Sequence, residues 1–290
     1  MAIYHLHAQV IGRSSGKSAV AAAAYRLGVS MEDARTGLVH DYTRKGGVSA
    51  SLSLAPANAP EWASDPARLW AEVESVEKRK DAQLCREMDI AIPRELTREQ
   101  SIELVRAFVQ SQFVDEGMCA TVAFHHLGES NPHAHVMLTM RSIGPEGFGQ
   151  KNRDWNAVER LEQWRESWAT QANNALAVAN SPARIDHRTL EAQGITDRPA
   201  TKHIGRNAWA LVQKGLASKR AEQLATQFRK VGRWMRQLVE LTAPRVEEFS
   251  FAERLARLRG QPAFAQGVAL GEGFERPPPP EPTSKTKFRF

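Results

Sequence analysis

The chain has 290 residues, 42% hydrophobic and 25% charged, which excludes a disordered or fibrous protein and suffices for one large or two modest domains. No apolar run reaches the ~18 residues of a membrane span, and two cysteines, Cys85 and Cys119, exclude a disulfide framework or a cysteine-based zinc site. The 39 Lys and Arg outnumber the 33 Asp and Glu, giving a net charge of +6 that favours a polyanionic partner.

The opening MAIYHLHAQV has no basic stretch leading into an apolar one, so no export signal is read and a cytoplasmic location is expected. Residues 2–11 alternate Tyr4, Leu6, Ala8 and Val10 with His5, His7 and Gln9, the period of a strand. RSSGKS follows as a loop whose serines suit a helix cap, and SAVAAAAYRLGV is an alanine-rich helix ending near Gly28. ARTGLVHDYTRKGGV predicts a hairpin turning at Thr36 and Gly37. Residues 59–80, rich in Trp and Glu, predict a helix. In LCREMDIAIP, Glu87, Asp89 and Ala91 fall on one face of a strand and Met88, Ile90 and Ile92 on the other, until Pro93 stops it. LTREQSIELVRAFVQSQFV opens on a Thr97–Gln100 capping box and continues with helical period. MCATVAFHH and HAHVMLTM predict two more strands, and Trp155 to Ala179 a long helix. Beyond about residue 205 the composition shifts. Residues 206–261 read as a basic helical extension, and 262–290, with PPPPEP, as a disordered or polyproline-like tail.

FHHLGESNPHAHVMLTM holds four of the nine histidines. Its two strands, joined by the polar LGESNP, make a hairpin. Alternation puts Val122 and Phe124 on one face with His126, and Thr121 and Ala123 on the other with His125. In the second strand Ala134, Val136 and Leu138 form the apolar set, and His133, His135 and Met137 point the other way. If the apolar sets share one core, His125, His133 and His135 converge and His126 is left out. Three imidazoles at one end of a hairpin make a facial metal-binding set with positions open to water or substrate. The plain alternative is a group of satisfied or solvated histidines. Glu87 or Asp89 would orient an imidazole through its outer N–H, or act as a general base; a solvated strand face is the other reading. Tyr25 closes the alanine-rich helix, and spacing alone assigns it to packing.

SAVAAAAYR, TGLVHDYTRKGGV, EKRKDAQLCREMDIAIPREL, NPHAHVMLTMR and ARIDHRTLEAQGI, in this order over residues 1 to about 205, resemble the MobA/MobL relaxases of mobilisable and conjugative plasmids. These are HUH endonucleases, named for two histidines around a hydrophobic residue; here the triplet is His133-Ala134-His135. The resemblance implies an α+β fold, a central antiparallel sheet flanked by helices. It implies a nicking domain over 1–205 with Tyr25 as nucleophile. His125, His133 and His135 would hold a divalent metal, Mg²⁺ or Mn²⁺, and Glu87, with Asp89 second, would support them. The partner implied is single-stranded DNA at a plasmid origin of transfer, with accessory relaxosome proteins and a type IV secretion coupling protein. Tyr25 would attack the scissile phosphate, retain the 5′ phosphate and release a 3′ hydroxyl.

Lys151, Arg153, Arg184, Arg188, Lys202 and Arg206 are candidates to meet DNA phosphates, and Trp155 to stack a base. GRSSGKS has three residues between Gly12 and Gly16 where a phosphate-binding loop needs four, so ATP binding is dropped. Tyr42, in HDYTRK, is the rival nucleophile. Two other functions fit the same residues: a rolling-circle replication initiator, or a non-catalytic DNA-binding module with a structural metal.

Overall fold

A computed structural model describes residues 3–195. The segments 206–261 and 262–290, with Lys202 and Arg206, lie outside the described residues. Five strands, β1 (Leu6–Gly12), β4 (Val48–Leu54), β5 (Gln83–Ala91), β6 (Ala120–His125) and β7 (His133–Thr139), form an antiparallel sheet in the order β1-β5-β7-β6-β4. Two small hairpins flank it, β2 (Ser30–Asp33) with β3 (Leu38–Asp41), and β8 (Arg141–Gly144) with β9 (Gly147–Lys151). The helices are α1 (Ala19–Leu27), α2 (Pro66–Val76), α3 (Arg98–Val109) and α4 (Val158–Val178). The α+β class expected from the sequence is the observed one. No helix among the described residues is long and apolar enough to cross a membrane.

Side-chain alternation gives the sheet two buried faces. Met88, Ile90, Val122, Phe124, Val136 and Leu138 meet Phe108 of α3 and Trp164 and Trp168 of α4. Edge-to-face rings stitch this layer, with Phe108 and Trp168 centroids 5.1 Å apart. The opposite face sets Cys85 and Met137 against Ala19, Val20, Ala23 and Ala24 of α1 and Leu69, Trp70 and Val73 of α2. Trp70 satisfies its buried indole N–H by donating to Thr121 Oγ1 at 3.0 Å.

The placement of α1 follows from composition. Alanine is the best helix former and its short side chain lets the helix lie close to the sheet. Ser18 caps the first turn by accepting from the Ala21 N–H at 3.2 Å. Gly28 ends the helix at φ +67, a left-handed conformation that costs other L-residues about 1–2 kcal/mol.

Several boundaries differ from the sequence reading. The helix expected over 59–80 is two pieces, a 3₁₀ turn at Glu61–Ser64 and α2, because Asp65 caps a new helix whose first residue is Pro66. The first strand starts at Leu6, and the long helix at Val158 after a separate turn at Asp154–Asn156. After Val109 the chain loosens into a π turn, Gln110–Val114. β6 stops at His125: His126 has φ 55 and leaves the strand, so it does not share a face with Val122 and Phe124. Trp155 is 2% exposed, within the aromatic core, and a ring so enclosed stacks on no DNA base.

A Cβ at Gly28 would lie 3.1 Å from Val48 Cγ2, besides meeting the backbone strain. Gly28→Ala is expected to cost about 1–2 kcal/mol, lowering the thermal midpoint by roughly 2–8 °C in a melt followed by circular dichroism.

Candidate functional site

The β6–β7 register puts His125 directly opposite His133 and Ala123 opposite His135. The three imidazoles therefore rise from one face at one end of the hairpin, with ring centroids 4.9–5.2 Å apart. One ligand atom from each lies within 4.8 Å of the other two.

Each ring has one nitrogen facing an oxygen. His125 Nε2 lies 2.8 Å from the Arg26 carbonyl, and His133 Nδ1 lies 2.8 Å from the Asn131 carbonyl. His135 Nδ1 makes a longer contact, 3.4 Å, with Glu87 Oε1. The nitrogen that meets an acceptor carries the hydrogen, so the other nitrogen keeps its lone pair. Burial lowers the His125 pKa to about 4 and lowers that of His133 as well. Imidazoles whose outer nitrogen meets a carbonyl, as in His125 and His133, belong to the donor set a divalent transition metal needs, and the three residues fit such an ion.

Glu87 and Asp89 share the triad's face, as alternation predicted, but are held differently. Glu87 is 2% exposed. It pairs with the Arg26 guanidinium and accepts from Gln9 Nε2 at 2.8 Å. Burial pushes its carboxyl pKa up, but hydrogen bonds from His135 and Arg26 outweigh that and bring it to about 2. Asp89, though paired with His135 in the β5–β7 register, is 4.0 Å from its ring and half-exposed.

Tyr25 sits in the last turn of α1. The next residue, Arg26, is bonded to both His125 and Glu87, so the tyrosine's turn is fastened to the triad's strands. Tyr42 packs edge-on against the Tyr25 ring at 5.2 Å. Lys45 Nζ lies 4.1 Å from the ring centroid and donates to the Tyr25 carbonyl at 2.7 Å. His126 is set aside from the triad. Its Nδ1 meets Glu129 at 2.8 Å and its ring stacks on His133 at 5.8 Å. It packs so tightly on Gly47 (φ +86) that a Cβ there would lie 2.7 Å from it.

Of the described basic residues expected to meet DNA, Lys151, Arg184 and Arg188 are engaged by the protein's own oxygens. Lys151 reaches the other end of β5, donating to the Gln83 carbonyl and pairing with Glu77 at 3.1 Å. Arg184 bonds the carbonyls of Ser181 and Ala183, and Arg188 pairs with Asp186 at 2.7 Å. Arg153 is exposed beside the Asp154–Asn156 turn. Sequence reasoning missed Arg26, Lys45 and Gln9. The first adjoins Tyr25 in AYR and the second lies in TRKGG, but no local period marks either.

Residues 17–214 match the model of the MobA/MobL family. The chain is 37% identical over 245 residues to a conjugal transfer protein TraA of Agrobacterium fabrum, covering 74% of this chain and 22% of that protein. It is 38% identical over 239 residues to the mobilization protein MobL of Acidithiobacillus ferridurans, covering 71% of this chain and 62% of that protein. The chain thus spans between about a fifth and three fifths of these relatives' lengths. A solved structure described as "Molecular Basis of Vancomycin Resistance Transfer in Staphylococcus aureus" is similar at TM-score 0.62 and 31% identity, over 65% of this chain and 100% of that one.

Manganese affinity measured by calorimetry is expected to collapse in His133→Ala and to fall about 10–100-fold in Glu87→Gln, the usual cost of losing a ligand-orienting group. Acid stability follows from His125. Its folded pKa is depressed, from 6.5 to about 4, so its contribution is present above about pH 6.5 and lost as pH falls toward 4. The thermal midpoint should drop across that window, with a shallower drop in His125→Gln.

Proposed function

The chain belongs to the MobA/MobL family, and from that premise we propose that residues 1–205 are a relaxase domain. In this reading it is a metal-dependent, site- and strand-specific nicking and joining enzyme for single-stranded DNA at a plasmid origin of transfer. The observation that supports it best is the double contact of Arg26. Its carbonyl meets His125 and its guanidinium meets Glu87, fastening the helix turn of Tyr25 to the imidazole cluster.

The chemistry assigned to the chain's own groups is as follows. The Tyr25 hydroxyl attacks the scissile phosphorus in line as its proton departs. A new P–O bond to tyrosine forms while the bond to the 3′ oxygen breaks, and that oxygen takes up a proton to leave as a hydroxyl. One phosphodiester replaces another, so the step reverses when a 3′ hydroxyl attacks the phosphotyrosine. A bound Mg²⁺ or Mn²⁺ would withdraw charge from the phosphate oxygens. His125, His133 and His135 would hold the ion, Glu87 would keep the His135 ring oriented, and Arg26 keeps Glu87 ionised. Lys45 and Tyr42 fix the Tyr25 ring against two of its sides. The reading also assigns a cytoplasmic site of action, with accessory relaxosome proteins and a secretion coupling protein as partners.

The test is a labelled oligonucleotide carrying the cognate origin sequence, resolved on a denaturing gel. A covalent protein–DNA adduct is expected with Mn²⁺ or Mg²⁺, absent with chelator and absent in Tyr25→Phe. His135→Ala should slow its formation at least ~100-fold. Lys45→Met should slow it roughly 10–100-fold with DNA affinity unchanged, the signature of a misplaced nucleophile. An adduct that persists in Tyr25→Phe, or none under any metal, overturns the reading.

A further inference from the structure

Helix α1 buries Ala19, Val20, Ala23 and Ala24 against the sheet and α2. Three of these four carry only a methyl group, so the face is nearly smooth. Apolar burial follows the area covered and has no direction of its own. Long side chains seated between their neighbours resist sliding, and Val20 is the one branched side chain on this face. The place of Tyr25 along the helix axis is therefore left to polar contacts at the two ends of α1. Arg26 supplies those at the C-terminal end.

The N-terminal end is held by two buried acidic side chains that no step of the proposed reaction uses. Glu74 of α2 is 3% exposed. Its Oε1 accepts from the N–H of Ala19, the first residue of α1, at 2.7 Å. Its Oε2 meets Arg13 at 2.6 Å and Arg35 at 3.2 Å. Arg13 donates in turn to the carbonyls of Glu77 and Arg79, just past the end of α2. Asp33 of β2, equally buried, accepts from the Ser18 hydroxyl at 2.9 Å and from the Arg35 N–H at 3.1 Å. The Ser18 hydroxyl thus gives its hydrogen to Asp33 and a lone pair to the Ala21 N–H. Acidic groups suit the positive end of a helix, and the two arginines offset the cost of burying them.

We infer that Glu74 is a positioning residue for Tyr25. By gripping the Ala19 N–H it sets how far α1 extends along its axis, and Asp33 acts with it through Ser18. Ala19 and Tyr25 are six residues apart, roughly 9 Å on one short rod, so a displacement at the first is carried to the second. A misplacement of ~1 Å costs about 100-fold in rate. The inference rests on the proposed nicking reaction for its effect on rate, and on the geometry alone for the placement of the ring.

The experiment uses full-length protein labelled with 3-fluorotyrosine. The chain has three tyrosines, Tyr4, Tyr25 and Tyr42, and Tyr25→Phe assigns the Tyr25 fluorine resonance. Tyr4 packs on the opposite layer of the core and serves as the internal reference. Glu74→Gln is expected to move the Tyr25 resonance and leave that of Tyr4 in place. With an oligonucleotide carrying the cognate origin sequence, it should slow adduct formation at saturating DNA roughly 10–100-fold, with the half-saturating DNA concentration unchanged. Ser18→Gly loses the link to Asp33 but keeps a residue nearly as good as a cap, and should move both readings the same way by less. Phe113→Leu loosens the opposite layer, and should lower the thermal midpoint while resonance and rate stay as they were. A Tyr25 resonance that stays in place in Glu74→Gln and Ser18→Gly overturns the positioning role. So does a loss confined to DNA affinity, or an equal loss of rate in Phe113→Leu. Should Glu74→Gln fail to fold, Ser18→Gly decides by the same readings. If the wild type forms an adduct at a rate these variants share, the positioning role falls and the nicking reading stands. If the wild type forms none, the nicking reading falls and the resonance alone decides the positioning.

Discussion

The site depends on one residue that is not itself a candidate ligand or nucleophile. Arg26 is the only described side chain whose own backbone carbonyl meets His125 while its guanidinium meets Glu87. Its preceding residue is Tyr25, so the arginine joins two elements far apart in sequence, the alanine helix and the histidine hairpin. A buried carboxylate is costly without a partner, and removing one member of such a pair typically costs about 3–5 kcal/mol because the other charge is left stranded. Glu87 is kept ionised by His135 and Arg26, and its carboxylate lies 3.4 Å from the His135 ring. Charge, tautomer and helix position are therefore one coupled arrangement.

The surroundings of this arrangement are built to hold it still. Lys45 and Tyr42 come from the segment after the β2–β3 hairpin and close on the Tyr25 ring. The same segment continues through Gly47, whose carbonyl accepts from the His126 N–H at 3.0 Å, into β4, where Val48 pairs with His125. One stretch of about seven residues thus touches the tyrosine at its start and the triad's strand at its end. Gly28 and Gly47 are needed where this stretch presses on α1 and on His126.

What could be read from the sequence was whatever a short period encodes. Two-residue alternation placed Glu87 and Asp89 on one face and joined His125, His133 and His135, because β5, β6 and β7 are regular and their apolar partners are unambiguous. The Thr97–Gln100 capping box is present with both of its bonds. Alternation misplaced His126 because a positive φ ends the strand one residue early, which no parity rule anticipates. β4, VSASLSL, was not read, since three of its seven residues are serines. β8 and β9 were hidden by the Gly and Pro of their turn. Trp155 and Lys151 show the other limit. A tryptophan or a lysine in a loop has no local mark that tells a core or ion-paired residue from a nucleic-acid contact. Arg26 and Lys45 act across 99 and 20 residues, and such pairings are properties of the fold.

The histidine hairpin has a further consequence. All three imidazoles come from residues 125–135, across a seven-residue connection, so their convergence is a short-range property of one β-ribbon. The phenol arrives from a hundred or more positions away and is held by α1 and its clasp. The histidine cluster and the tyrosine's helix are therefore set by different parts of the chain, and Arg26 is where the two are tied together.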